Sequence, residues 1–325
     1  MKLKHIATIG LALAPTAAFA GPAINGAGAS FPAPIYQRWF QDYAGASGNR
    51  VNYQSVGSGA GVRQFVAGTV DFGATDEPIK AKEAAKVKRG VVQIPMIGGT
   101  IAVAYNKSGC KLKLTQKQVV HLFSGHIKDW KELGCAPGQV RVVYRSDGSG
   151  TTYAFTNSLD AFGGWKPGVG KSINWPTGVG AKGNEGVAGQ IKQTPGAIGY
   201  VNTGFVRPNK LQAAVLQNKA GNFVGPSAVT GAAALNGIKL DPVTLAGEDP
   251  NPAGAKAYPI STLTWILAYK SGYADGRATA VRDALNYALS GKAQGLADDL
   301  GYVPLSGSIL NKARLKVKQV GLGEK

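Results

Sequence analysis

Gln139-Val140-Arg141-Val142-Val143-Tyr144 reads as a β-strand that runs directly into Arg145-Ser146-Asp147-Gly148-Ser149-Gly150-Thr151. The first segment is rich in β-branched and aromatic residues, and the second consists of turn formers around one arginine. Residues 152–162 then fit a helix. Strand, turn and helix in that order bring backbone N–H groups and hydroxyls to a helix N-terminus, where the macrodipole favours an anion. The order returns at 51–67, with a strand at 51–56, the turn Gly57-Ser58-Gly59-Ala60-Gly61 and a helix from 62. A looser version spans 24–43. A single such turn is an ordinary N-cap, because Ser, Thr and Asp are preferred there anyway. Three of them, one carrying Arg145, point to an anion site.

Working outward, Asp71-Phe72-Gly73-Ala74 is a short strand ending at Thr75-Asp76, and 80–88 reads as a basic, Ala-rich helix. Segments 101–105, 197–201 and 264–269 supply further strands, and 278–289 and 308–318 further helices. This alternation predicts an α/β fold. There is no internal repeat and no long linker, and 325 residues suit two domains or lobes.

The composition excludes a disordered chain, since 44% of residues are apolar and only 17% are charged. Glycine is in excess, at 46 residues, and is interspersed with Val, Ile, Phe and Trp as turns inside a folded body. Lys2 and Lys4, an apolar stretch at 6–14 and Ala18-Phe19-Ala20 make residues 1–20 a cleavable signal peptide. That stretch is too short to span a bilayer. The predicted mature chain is therefore exported and periplasmic, and with no cysteine near the cut it carries no lipid anchor. Of the formal charge of +18, Lys2 and Lys4 leave with the leader.

Cys110 and Cys135 are the two cysteines. An oxidising compartment makes a disulfide between them plausible, worth on the order of 3 kcal/mol if unstrained. Two buried free thiols are the alternative, and metal binding is the weaker reading because neither sits in a C-x-x-C pair.

Catalytic motifs fail on inspection. His121 and His126 stand five apart, on different faces of a helix, and with no third ligand nearby no metal is expected. Ser58 and Ser149 lie in glycine-rich turns without forming G-x-S-x-G. Gly170-Lys171-Ser172 resembles the end of a P-loop, but Trp165 occupies the required glycine position. Gly178-Val179-Gly180-Ala181-Lys182-Gly183 matches G-x-G-x-x-G, yet Pro176 precedes it instead of a strand, so it reads as a turn into a helix at 185–192. The basic runs at 80–89 and 312–318 read as solvated helix faces, and no nucleic-acid partner is expected.

Four segments together resemble the PstS family, the substrate-binding proteins of the high-affinity phosphate ABC importer. They are Gly26-Ala27-Gly28-Ala29-Ser30-Phe31-Pro32-Ala33-Pro34, Val51 through Gly59, Val70-Asp71-Phe72-Gly73-Ala74-Thr75-Asp76, and Arg145 through Thr151. Lys182-Gly183-Asn184-Glu185-Gly186, Pro195 through Tyr200 and Tyr258 through Thr262 are also family-like, and 205–256 is the least so. The resemblance implies a two-lobed, type II-like periplasmic-binding-protein fold with a hinge and a ligand cleft between the lobes. One lobe would comprise 21–100 with 262–325, the other 101–261. Carried over by motif, phosphate would be held by Ser30, Phe31 through its backbone N–H, Ser58, Asp76, Arg145, Ser149, Gly150 and Thr151. Asp147 would orient Arg145. Position 30 is commonly Thr in the family, and Ser keeps the hydroxyl. The implied partners are inorganic phosphate and an inner-membrane ABC permease, for a monomer that is not an enzyme and needs no cofactor.

The chemistry of these residues agrees. Arg145 offers a planar fork of donors suited to phosphate oxygens. Asp76 is the informative residue, because an ionised carboxylate only accepts and so needs a ligand that still carries a proton. Phosphate carries one near neutral pH and sulfate does not, and a buried mismatch of that kind discriminates strongly. The plain alternative is that Asp76 caps a helix after Pro78. Two other classes stand beside the receptor: an exported phosphatase or phosphate-ester binder, and a surface adhesin using the basic charge, with some protein secreted or surface-associated.

Overall fold

The structure, a computed structural model, describes residues 23–274 and 276–323; the predicted leader at 1–20 lies outside the described residues. The chain opens with β1 (Ile24–Gly28), α1 (Ala33–Ser47), β2 (Val51–Ser55), α2 (Ser58–Ala67), β3 (Phe72–Thr75), α3 (Ala81–Ala84) and β4 (Val91–Tyr105). Next come β5 (Lys113–Leu114), α4 (Gln116–Phe123), β6 (Arg141–Arg145), α5 (Gly150–Phe162), β7 (Val179–Ala181), α6 (Gly183–Gln193) and β8 (Ala197–Asn202). β9 (Gln212–Ala213), β10 (Val215–Gln217), β11 (Phe223–Val224) and α7 (Ala228–Leu235) follow. The chain ends through β12 (Ser261–Tyr269), α8 (Arg277–Ala288), α9 (Gly291–Gln294) and α10 (Gly307–Val317).

The main sheet runs β2-β1-β3-β12-β4-β8-β6-β7, with β9 added on β4, and β11-β10-β5 form a small second sheet. β1 is parallel to β2 and β3, and β6 is parallel to β7 and β8. Between these parallel flanks, β4 and β12 run antiparallel to each other. β4 pairs with β12 from Val91 to Thr100 and with β8 from Ile101 to Tyr105, so one strand belongs to both flanks. Pro95 sits inside it although proline lacks an N–H. The register slips between Thr264 and Trp265, so that Ile97 and Pro95 find partners and Met96 does not. Such a bulge is where a central strand tolerates proline.

Aromatic side chains pack on both flanks within one continuous core. Trp39 and Tyr36 of α1 stack 5.7 Å apart, and Phe40 lies 5.8 Å from Phe72 of β3. On the other flank Phe155 of α5 stacks 4.3 Å from Tyr200 of β8, which also stacks 5.5 Å from Trp175. The α1 periodicity explains its orientation: Ile35, Tyr36, Trp39, Phe40 and Tyr43 fall on one helical face and are buried.

Local readings shift in several places, among them the start of α2 at Ser58 instead of 62. The basic helix at 80–88 is only one turn, α3, whose Glu83 side chain accepts the Lys80 N–H. His121 and His126 do not share a helix: α4 ends at Phe123, and the turn at Gly125 brings the two rings within 5.3 Å. No group of three candidate metal ligands occurs among the described residues. The G-x-G-x-x-G segment contains the edge strand β7, and α6 starts at Gly183 instead of 185. Cys110 and Cys135 are disulfide-bonded with Cα atoms 5.4 Å apart, and no cysteine among the described residues is free.

Candidate functional site

Parallel strands leave a crevice outside their carboxyl ends, and the candidate residues cluster there. Ser30 and Phe31 follow β1, Ser58 begins α2 after β2, and Asp76 follows β3. From the opposite flank, Arg145 ends β6, Asp147 and Ser149 occupy the turn into α5, and Gly150 and Thr151 are its first residues. Ser30, Ser58, Asp76, Arg145, Ser149 and Thr151 are all at most 4% exposed, so a ligand among them would be stripped of water.

Arg145 is fixed by a two-pronged contact with Asp147, Nε to Oδ1 at 2.7 Å and Nη2 to Oδ2 at 2.5 Å. This fork leaves Nη1, which approaches Thr151 Oγ1 at 3.4 Å. Asp147 Oδ1 also accepts the Gly183 N–H at 3.0 Å. Burial alone would push the Asp147 carboxyl up, but the hydrogen bond and charge of Arg145 hold it below the usual carboxylate range. Arg145 and Asp147 therefore cancel in charge, and the guanidinium acts as an oriented donor.

Asp76 faces the clamp. Its Oδ1 accepts the Thr264 hydroxyl at 2.8 Å, and its Oδ2 lies 3.5 Å from Ser58 Oγ and 3.4 Å from Thr151 Oγ1. Burial raises its carboxyl from 3.8 to about 7, against the pull of the Thr264 hydrogen bond, the Arg145 charge and the bonds from Thr151 and Ser58. The capping alternative fails, because Lys80 holds the N-cap position of α3 and Asp76 turns inward.

The donors come from helix starts, whose first N–H groups have no intrahelical acceptor. Ser149 is the N-cap of α5: its Oγ accepts the Thr152 N–H at 2.9 Å and keeps its own proton to donate. Ser58 Oγ likewise accepts the Asp76 N–H at 3.2 Å. Gly150 has no space for a side chain, since a Cβ would lie 2.6 Å from Ser58 Oγ and 2.7 Å from Asp76 Cβ. Phe31 turns its fully buried ring edge-on to Tyr302, and its carbonyl accepts the Tyr302 hydroxyl at 2.7 Å. Its N–H has no acceptor among the described residues, so Phe31 can contribute only through the backbone.

Three residues enter the site without having been singled out from the sequence. Thr264 comes from β12 and holds Asp76. The Tyr200 hydroxyl accepts the Arg145 N–H at 3.1 Å and contacts Thr152 Oγ1 at 2.6 Å. Asn184, fully buried in the first turn of α6, reaches Ser30 and Thr151 together. The signal available for Asn184 was its place in the family-like segment Lys182 through Gly186, which starts a helix with Gly183 at φ +72°.

Residues 14–292 match the PBP superfamily domain. The phosphate-binding protein PstS of Pasteurella multocida is 40% identical over 91% of this chain and 90% of its own length. That of Haemophilus influenzae is 40% identical over 91% of this chain and 92% of its own. Among solved structures, a high affinity periplasmic phosphate-binding protein (PfluDING), bound with phosphate, shares the fold with a TM-score of 0.77. The match is 24% identical and covers 90% of this chain and 93% of that one.

Proposed function

The chain belongs to the PstS family of phosphate-binding proteins, within the PBP superfamily, and from that footing we propose that it captures inorganic phosphate and delivers it to an ABC importer. The observation that carries this reading is a sealed cluster of donors from both flanks of the sheet around one carboxylate, Asp76. Hydroxyls of Ser30, Ser58, Ser149 and Thr151, the Phe31 N–H, the first N–H groups of α5 and Arg145 Nη1 would bind phosphate oxygens. Asp76 would accept the ligand's remaining proton. Charge is spread over dipoles rather than met by counter-ions, as at other helix-terminus anion sites.

The reading divides the chain into lobes 21–100 with 262–325 and 101–261, a division supported by the change of partner along β4 between Thr100 and Ile101. It also takes residues 1–20 as a leader directing the chain to the periplasm, with an inner-membrane permease as the acceptor of phosphate. No helix among the described residues is long and apolar enough to cross a membrane.

Isothermal titration tests the proposal. One phosphate per chain with micromolar or tighter affinity is expected, with sulfate bound at least about tenfold more weakly at about pH 8. Equal binding of the two anions overturns the role of Asp76, and an absence of phosphate binding overturns the function.

A further inference from the structure

Asn184 Oδ1 accepts the Asn202 N–H at 2.8 Å. A backbone N–H donates only to the amide oxygen, so this bond fixes which way the side chain faces. Nδ2 is thereby turned to the cleft, where it donates to Ser30 Oγ at 2.9 Å and to Thr151 Oγ1 at 3.0 Å. The Asn184 backbone N–H adds a third bond, to Ser30 Oγ at 3.0 Å. A hydroxyl has two lone pairs and one proton. Asn184 fills both lone pairs of Ser30, and the proton is then all that Ser30 can offer a ligand. Thr151 Oγ1 likewise takes Nδ2 of Asn184 and Nη1 of Arg145, and its proton points at Asp76 Oδ2, 3.4 Å away, the face a ligand would enter.

We propose that Asn184 is a positioning residue that fixes the Ser30 and Thr151 hydroxyls, one from each flank of the cleft, as hydrogen-bond donors toward the bound anion. This rests on the phosphate reading above and adds a residue outside its ligand set. Asn184 is itself braced by the anion clamp, because the preceding Gly183 N–H is held by Asp147, the partner of Arg145. One buried amide thus sets the polarity of the site on both sides.

The isosteric Asn184→Asp keeps the acceptor for Asn202 but replaces the donating edge with an accepting one. Ser30 and Thr151 would then spend their protons on the new carboxylate. Phosphate affinity is expected to fall on the order of 100-fold at pH 8. It should recover as pH falls and the carboxyl regains a proton to donate. Asn184→Ala has nothing to protonate and should weaken binding without that recovery. Ser30→Ala, Asn184→Ala and the double variant complete a cycle, read by the same titration. If Asn184 acts through Ser30, the double variant loses clearly less than the product of the two single losses. Thermal melts confirm that each variant is folded, and should Asn184→Asp fail to fold, the alanine cycle decides. Wild-type binding with an additive cycle, or with pH profiles alike in Asn184→Asp and Asn184→Ala, overturns the inference alone. A wild-type chain that takes up no phosphate overturns both readings.

Discussion

At the scale of single residues, Asp76 is the proposed filter of the cleft. Burial lifts its carboxyl to about 7, and an anion entering beside it adds like charge and lifts it further. Phosphate brings its own proton to an ionised Asp76. Sulfate brings none, so it is accepted only if Asp76 is protonated. Sulfate affinity should therefore fall about tenfold per pH unit above the Asp76 midpoint, while phosphate shows no such decline. Competition titrations between about pH 5.5 and 8.5 measure this, and a sulfate affinity that is flat across the range removes Asp76 as the filter. The same shift acts on stability. Because the folded value lies above the unfolded one of 3.8, the contribution of Asp76 is complete below pH 3.8 and is lost as pH rises through about 7. Asp76→Asn should accordingly stabilise the ligand-free chain above neutral pH, by up to roughly 4 kcal/mol, and make little difference near pH 4.

At the scale of elements, α5 and β4 show what local sequence can and cannot reveal. The β6–α5 unit was legible because its signals are contiguous: a β-branched run, a turn of Ser, Asp and Gly, then an N-cap at Ser149. The first half of β4 was not, since Pro95 and Gly98-Gly99 look like breakers. Pairing with β12 and the bulge at Met96 override them, and Gly99 is required because a Cβ would press on Phe31 and Asn202. The start of α6 was read two residues late, which left Asn184 in a turn and hid its reach to Ser30, 154 positions away. The proposed ligand set could be found by motif; the polar frame behind it is made of contacts between distant segments. Gly150 at the start of α5 carries the element-scale prediction. Gly150→Ala should leave the thermal unfolding of the ligand-free chain nearly unchanged, because the first helical position, just after the N-cap Ser149, tolerates alanine. Closing the cleft would drive its Cβ into Ser58 and Asp76, so phosphate affinity should drop on the order of 100-fold. Titration beside a melt checks both halves, and near-wild-type affinity would show that the two flanks need not approach so closely.

At the scale of the whole molecule, the flanks meet through contacts that do not involve a ligand. The Gly59 N–H donates to the Gly148 carbonyl at 2.8 Å, and Ser55 Oγ donates to Glu185 Oε1 at 2.5 Å. A third is ionic. Lys171 Nζ, from beyond α5, lies 2.8 Å from Glu77 Oε2, just after Asp76, and the Glu77 side chain is only 3% exposed. Lys80 also reaches Glu77, at 3.1 Å, but from its own flank and with its side chain 63% exposed. Contacts made only with the flanks together would bias a hinged molecule toward its closed state, and through it the retention of ligand. Removing one partner of a buried pair leaves the other charge uncompensated in that state, while in an open state water reaches it. Lys171→Met keeps the length of the side chain and deletes the charge. Phosphate should then dissociate about tenfold faster, with the association rate nearly unchanged, because the pair forms after encounter. Stopped-flow rates at low and high salt read this directly. In the wild type the dissociation rate should respond only weakly to salt, since the pair is shielded from solvent. A Lys171→Met chain that releases phosphate at the wild-type rate would show that closure rests on the ligand and the neutral contacts alone.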